Sequence, residues 1–172
     1  TCAARKTQKI KTEFIGEGEK LDFPTLSNVR TQRDEGTSDQ AEVGYFLKDC
    51  RTGARSGTSS SKCLWRRVSP ILDDKPTEGG TSSVLLENVK SLSFRYLSPG
   101  EQGEWVKSWR TDGQAGSSNG DSKTAGQFPY AVEITLEIED RNVTPPKLIG
   151  STVVAPIKFT NNEAPVDPNK PA

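Results

Sequence analysis

Three glutamates at alternating positions are the residues of this chain that most resemble a set of catalytic carboxylates. Glu133, Glu137 and Glu139 lie in the segment 131–139, AVEITLEIE. Paired carboxylates can serve as general acid and base in hydrolysis. In this segment, however, every second residue is apolar, which predicts a strand with one dry and one solvated face. The apolar positions are Val132, Ile134, Leu136 and Ile138. We therefore interpret the glutamates as the solvated face of a half-buried strand.

Two loops carry oxygen-bearing side chains that could bind calcium, a hard cation that prefers carboxylates on flexible loops. The first loop contains Asp73, Asp74 and Glu78. The second loop contains Asp112, Asn119 and Asp121. Neither loop has EF-hand spacing, and acidic residues are common in turns, so solvated turns are favoured over a metal site.

Two short motifs carry no chemistry in this context. Gly16 and Gly18 form a Gly-x-Gly pair, but no helix pattern or third glycine follows, so the pair is not a phosphate-binding loop. The sequon Asn142-Val143-Thr144 precedes Pro145 and is a glycosylation acceptor only in a host that glycosylates.

The composition argues against an enzyme and against a nucleic-acid-binding protein. The 172 residues include no histidine, which removes the commonest general base and a favoured ligand of zinc, copper and iron. Basic residues number 23 and acidic residues 23, so the formal net charge is zero and no long-range field attracts nucleic acid or an anionic membrane. We expect no catalysis, no cofactor and no bound metal.

Cys50 and Cys63 lie at the two ends of a polar segment that strand-like runs flank at 42–47 and 64–68. This arrangement predicts a hairpin whose loop is closed by a disulfide, which in the loop-entropy model stabilises the fold by roughly 3 kcal/mol. Two unpaired thiols are the alternative. A disulfide would indicate an oxidising compartment. The third cysteine, Cys2, lies near the terminus and is expected to be free.

Trp105 and Trp109 are four residues apart, so they are predicted to share a face of either a strand or a helix. Such a pair could stack on a sugar or anchor a partner protein. Packing of both rings over the apolar face of the sheet is the favoured interpretation.

The elements that position these residues are predicted to be strands joined by long polar loops. The strand patterns cover 9–15, 20–26, 42–47, 64–68, 89–97, 130–140 and 148–159. Residues 84–88 are predicted to form either a turn of helix or a short strand. In the last strand the residues predicted to share a face are Val153, Ala155, Ile157 and Phe159. Pro156 within it predicts an edge position or a bulge.

The chain is predicted to be one mainly β domain, with antiparallel sheets, over residues 1–160. Residues 161–172 contain three prolines and are expected to form a disordered tail. No run of about twenty apolar residues occurs, so no segment is predicted to span a bilayer.

An ordered set of short segments resembles the J-type minor pseudopilins of bacterial type II secretion systems. In chain order they are 14–16 with 21–23, 41–47, 64–67, 72–74 with 79–80, 86–89 leading into 92–97, and 128–133 after the two tryptophans. The set covers most of residues 14–140. The family's cleavage motif and hydrophobic amino-terminal helix are not part of this chain, and a disulfide-closed loop is not general in the family.

The resemblance implies a pilin-like scaffold, α+β once an amino-terminal helix is included, and a role without chemistry. It also implies a periplasmic domain anchored in the inner membrane by a helix absent from this chain. The implied partners are I-type and K-type minor pseudopilins in a hetero-oligomeric tip complex, together with secreted cargo. Two alternatives stay open: a minor pilin of a type IV pilus or competence system, and a secreted carbohydrate-binding β domain that uses Trp105 and Trp109.

Overall fold

The computed structural model describes residues 12–26, 39–51, 60–73, 75–99, 103–112, 124 and 126–158, and these form one nine-stranded antiparallel β-sheet. The strands are β1 (Ile15–Glu17), β2 (Lys20–Thr25), β3 (Ala41–Arg51), β4 (Ser60–Ser69), β5 (Thr81–Leu97), β6 (Trp105–Val106), β7 (Ser108–Arg110), β8 (Ala131–Asp140) and β9 (Lys147–Pro156). Their order is β7-β1-β2-β3-β4-β5-β8-β9, and β6 pairs with β5 outside this path. The prediction of a mainly β, antiparallel fold is confirmed.

The hairpin of β3 and β4 is longer than its sequence pattern predicts. The ladder continues past Lys48 and Cys63 to Arg51 and Ser60, although the residues added on β4 are serines and a lysine with little strand preference. Pairing with a neighbouring strand decides strand length here, because intrinsic β propensity is weak compared with cross-strand contacts.

β5 is a single strand of 17 residues, whereas the sequence predicts a break before Val89. The apolar–polar alternation of its sequence is interrupted because the strand shifts register. One shift against β4 lies around Leu64, and one against β8 lies between Val89 and Ser91. Asn88 has a positive φ of 58°, a conformation that asparagine tolerates better than most residues. The helical alternative for residues 84–88 is therefore wrong.

The hydrophobic core lies where β1 and β2 meet the carboxyl end of β5. Its buried residues are Phe14, Leu21, Leu92, Phe94, Tyr96, Trp109, Phe128 and Val132. Phe14 contacts Tyr96 and Phe128 edge to face, with ring centroids 5.7 and 5.8 Å apart, an arrangement that aromatic rings prefer. A Cβ atom at Gly16 would overlap the phenol of Tyr96, so the packing of β1 on this ring requires glycine.

The alternation predicted for β8 is present, but its dry face is only partly covered. Val132 is buried, and Ile134 and Leu136 are partly buried against the core. Ile138 lies farther along the same face and is half-buried. The apolar face of β8 thus extends beyond the core that covers its first half.

β9 is the last strand of the sheet, so the edge position predicted from Pro156 is confirmed. The strand ends at Pro156, and Phe159 lies outside the described residues, as does the proposed tail 161–172. Within the described part of the chain, no helix is long and apolar enough to cross a membrane.

Candidate partner-binding surface

β9 carries four large apolar side chains that face solvent. The exposed fractions are 58% for Leu148, 47% for Ile149, 56% for Val153 and 52% for Val154. Scattered exposed apolar residues are normal on protein surfaces, but four on one edge strand form a patch of the kind that marks interaction sites. We refer to these four residues as the β9 patch.

One half of the β9 patch continues the apolar face of the core. Residues directly opposite each other in an antiparallel ladder share a face of the sheet. Ile134 of β8 pairs with Phe94 on one side and with Val153 on the other, so these three side chains form one row. The row begins in the buried core and ends in solvent at β9.

The other half of the β9 patch borders a charged face. Arg95 of β5 donates to both carboxylate oxygens of Glu133 at 2.7 Å, and its guanidinium lies 5.6 Å from the centroid of the Trp105 ring. Glu139 binds Lys90 and Arg141 at 3.0 and 2.7 Å. These hydrogen bonds hold the pKa of Glu133 and that of Glu139 below the ordinary value.

The three glutamates of β8 are therefore partners of surface groups. Glu137 accepts a hydrogen bond from the Ser91 hydroxyl at 2.8 Å, and the other two carboxylates are in ion pairs. A general acid needs a raised pKa near the operating pH, whereas Glu133 and Glu139 have lowered ones. The arrangement is a polar face whose charges are paired within this chain, and it contains no acid–base pair.

The two tryptophans lie in different strands, so the prediction that they share a face of one element is wrong. Trp109 is in β7, only 2% exposed, and donates from Nε1 to the carbonyl of Gln127 at 2.8 Å. Its ring is part of the core and does not meet solvent. Trp105 is in β6, partly buried, with Arg95 over its ring. Only Trp105 can take part in a surface contact.

A buried charged cluster joins the sheet to the loop between β4 and β5, residues 70–80. Arg67 donates to Asp22 at 3.0 Å and lies 3.9 Å from a carboxylate oxygen of Glu42, and all three side chains are buried. The same guanidinium donates to the carbonyls of Pro76 and Glu78. Lys20 pairs with the other carboxylate oxygen of Asp22 at 3.1 Å, so two cations balance the two sheet carboxylates, and Arg67 also fixes the loop over them.

Glu42 is the strained member of this cluster. Burial raises the pKa of Glu42, and the backbone N–H of Asp73, which donates to Oε1 at 3.3 Å, acts in the opposite direction. The Arg67 guanidinium, 3.9 Å away, also lowers this pKa, but by less than burial raises it. The cluster is structural, because it is enclosed by the loop and exposes no reactive atom.

The candidate calcium ligands serve the loops that hold them. Asp73 accepts from the Lys75 backbone N–H at 2.7 Å, and Glu78 pairs with the Lys75 ammonium at 3.3 Å. Asp112 pairs with Arg110 at 2.5 Å. Asp74, Asn119 and Asp121 lie outside the described residues. In the part of the chain that the structure describes, no group of three acidic or cysteine side chains could hold a metal ion.

A polar cleft of about 580 Å³ lies between β1, β7 and the 70–80 loop. Charged side chains line its walls. Its three cations are in ion pairs: Arg110 with Glu17, Lys75 with Glu78 and Lys20 with Asp22. Ligand pockets are mostly apolar with a few convergent polar groups, and this cleft lacks that character. It is a solvated boundary between elements.

A disulfide joins Cys50 of β3 to Cys63 of β4, in agreement with the pairing predicted from the sequence. The two Cα atoms are 5.8 Å apart, a normal separation for a bridge. Cys63 is fully buried, and Cys2 lies outside the described residues. The Asn142 sequon is in the exposed turn between β8 and β9.

Sequence reasoning missed the Arg67 cluster and the β9 patch. The sequence prediction for this strand covers one shared face, that of Val153, Ala155, Ile157 and Phe159. It assigns no role to the adjacent pairs Leu148-Ile149 and Val153-Val154, which must point to both faces. Together with Pro156, those pairs signal an edge strand with apolar side chains on both faces. The Arg67 cluster leaves no comparable signal, because its members come from three different strands.

Comparison with known proteins identifies the family. The family model for protein J of the type II secretion system matches residues 3–145, which is most of the chain. The chain belongs to this family. Among solved structures, the crystal structure of the GspK–GspI–GspJ complex from the type 2 secretion system of enterotoxigenic Escherichia coli is similar, with 19% identity and a TM-score of 0.49. That match covers 87% of this chain and 79% of the other. The comparison with curated proteins gave no match.

Membership of the protein J family confirms the resemblance to J-type minor pseudopilins. It makes the chain a component of a type II secretion system with a periplasmic domain, and the family is structural and not known as an enzyme family. The J-type minor pseudopilin is thereby favoured over the type IV pilin and carbohydrate-binding alternatives.

Proposed function

We propose that this J-type minor pseudopilin is a subunit of the pseudopilus tip, where it binds I-type and K-type minor pseudopilins and promotes export of folded proteins. The observation that carries the proposal is the family match over residues 3–145. A hydrophobic amino-terminal helix that anchors the domain in the inner membrane is part of the proposal, since pseudopilins of this kind are built on one.

The surface chemistry supports a function by contact. The β9 patch offers apolar area beside a set of exposed ion pairs, a combination typical of protein interfaces with an apolar centre and a polar rim. Carboxylates that could have done chemistry, such as those of Asp112, Glu139 and Asp73, take part in ion pairs or in turns. Cargo would meet this polar surface or the loops between strands.

Secretion in the native bacterium tests the proposal. A strain that lacks the J-type gene but retains the I-type and K-type genes is complemented with the complete J-type gene, and a known cargo is measured in the medium and in the periplasm. We expect cargo to accumulate in the periplasm without the gene and to reach the medium with it. Normal secretion in the deletion strain would contradict the proposal.

A further inference from the structure

We propose that the free edge of β9 receives an extended strand of the I-type pseudopilin, which adds to the sheet as a further strand. The identity of the partner rests on the proposed function. The mode of binding is inferred from the backbone of β9. Strand addition is a recurrent mode of recognition, in which main-chain hydrogen bonds provide affinity and alternate side chains provide specificity.

The direction of the β9 backbone groups follows from Pro156. Ala131 and Pro156 are direct partners in the ladder, and proline has no N–H to donate, so they form a non-hydrogen-bonded pair. The Ile157 N–H indeed donates to the Tyr130 carbonyl at 2.8 Å, as that kind of pair requires. Counting back along the strand, Ala155 and alternate residues before it point their backbone groups toward β8.

The remaining residues of β9 point their backbone groups away from β8. They are Leu148, Gly150, Thr152, Val154 and Pro156, of which the first four carry an N–H. Among the described residues, β8 is the only strand that pairs with β9, so these four N–H groups and their carbonyls form an open edge. An open edge of this kind is a template for another strand.

Apart from Lys147 at its start and Pro156 at its end, β9 lacks the features that protect edge strands. Native edges are usually short, charged or bulged. From Leu148 to Pro156 the strand has no charged residue, and its register against β8 is continuous over ten pairs. The β9 patch places apolar side chains on both faces, so an added strand would cover both rows.

The opposite edge of the sheet shows the contrast. β7 has three residues, begins and ends with polar side chains, and its central Trp109 is buried. Arg110 at its end is held by Glu17 and Asp112. This edge is short and charged, as protected edges are, whereas the edge of β9 is long and apolar.

The occupant is a strand with apolar residues on both faces, which would continue the row that runs from Phe94 through Ile134 to Val153. Adjacent strands are about 4.8 Å apart, so the partner's side chains would lie directly against Val153 and Ile149. A side chain of the added strand would become the fourth member of this row and would cover Val153, which is now exposed.

Residue-resolved amide exchange tests the proposal. The ¹⁵N-labelled J-type domain is followed by NMR alone at low concentration and with the I-type periplasmic domain. In the isolated domain we expect the four outward amides (Leu148, Gly150, Thr152 and Val154) to exchange fast. We expect the inward amides, such as those of Val153 and Ser151, to exchange slowly. On binding, the outward amides should slow by roughly tenfold or more, because each gains a hydrogen bond.

A pair of variants separates backbone pairing from side-chain contact. Val154→Pro removes one outward N–H and leaves the bonds to β8 in place, as Pro156 already does two residues later. It should weaken binding of the I-type domain by about fivefold or more, the effect of one lost hydrogen bond. Val154→Thr keeps the N–H and should change the affinity by less than about twofold. Equal weakening by both variants would argue against backbone pairing.

The remaining outcomes each decide the matter. A complex whose outward amides still exchange fast would overturn strand addition and leave the proposed function standing. Absence of any complex would overturn both. Slow outward amides in the isolated domain at low concentration would show that this chain covers its own edge, and slowing that appears only at high concentration would assign the edge to a second copy. Either result would overturn the proposal.

Discussion

At Arg67 a single guanidinium serves two buried carboxylates of the sheet and backbone carbonyls of the 70–80 loop. Replacing it by methionine would leave the buried Glu42 without a cation and Asp22 with only the half-exposed Lys20 at 3.1 Å. We therefore expect the free energy of unfolding to fall by about 3–5 kcal/mol. Arg66→Met, one position earlier and on the other face, should cost about 1 kcal/mol or less. Urea denaturation of both variants measures the difference, and similar losses would contradict the role assigned to Arg67.

Glu42 gives this cluster a pH dependence with a defined sign. Because burial raises the pKa of Glu42 above its ordinary 4.5, its contribution to stability is greatest below that pH. The contribution is lost as the pH rises through the folded-state pKa, since the folded protein must then hold a charged, buried carboxylate. Glu42→Gln removes this titration.

The free energy of unfolding of Glu42→Gln, relative to the unsubstituted protein, should therefore increase as the pH rises from 4.5, the ordinary pKa of glutamate. Its slope cannot exceed about 1.4 kcal/mol per pH unit for one group. Denaturation at several pH values measures it, with the exposed Glu137→Gln as control. A difference that stays constant or decreases with pH would show that Glu42 does not titrate as proposed.

Glycine at position 44 is required by the same cluster. A Cβ atom there would overlap the Asp22 carboxylate and approach the Arg67 Nε atom to 3.2 Å. Gly44→Ala should destabilise the domain by about 1–3 kcal/mol, because buried side chains that are fixed by ion pairs cannot move aside. Gly150→Ala is the matched strand control, since its Cβ atom would meet the nearest atom at 3.6 Å. Thermal denaturation that ranks the two variants in the opposite order would refute this packing argument.

At the scale of elements, the disulfide closes the β3–β4 hairpin, which carries Arg67 and Glu42. Removing it with Cys50→Ser and Cys63→Ser should lower the free energy of unfolding by about 3 kcal/mol, since the unfolded chain regains the freedom of the open loop. Alkylation followed by mass spectrometry should detect two more thiols after reduction than before. If reduction adds no label, the bridge does not form in the protein.

The strands show how far local sequence can predict this fold. The predicted strand 130–140 starts one residue before the observed β8, because the alternation of its sequence reflects one apolar face that is partly buried. For β5 the sequence predicts two elements, 84–88 and 89–97, because the register shifts of this strand destroy the alternation. Those shifts are set by β4 and β8 on either side. Local patterns encode burial, whereas bulges and strand extensions depend on which neighbour a strand finds.

The surface was harder to predict than the fold for the same reason. Trp105 and Trp109 are close in sequence, but β6 pairs with β5 and β7 pairs with β1, so the sheet separates them. The Arg67 cluster likewise forms only when β2, β3 and β4 lie side by side. The disulfide was predictable because both cysteines belong to one hairpin, where local spacing is enough.

At the scale of the whole molecule, several features support the proposed function by contact. The chain has no histidine and a formal net charge of zero, its β8 carboxylates take part in surface hydrogen bonds, and its long free edge is apolar. Such a domain gains affinity from shape and burial rather than from long-range attraction, so its association should depend only weakly on salt.

Binding to the I-type partner tests the central claim most directly. The purified J-type domain and the I-type periplasmic domain of the same bacterium are mixed at micromolar concentration and separated by gel filtration with mass determination by light scattering. The account predicts a single species with the mass of a heterodimer, present at both low and high salt. Two proteins that elute separately, each with the mass of its own monomer, would contradict it.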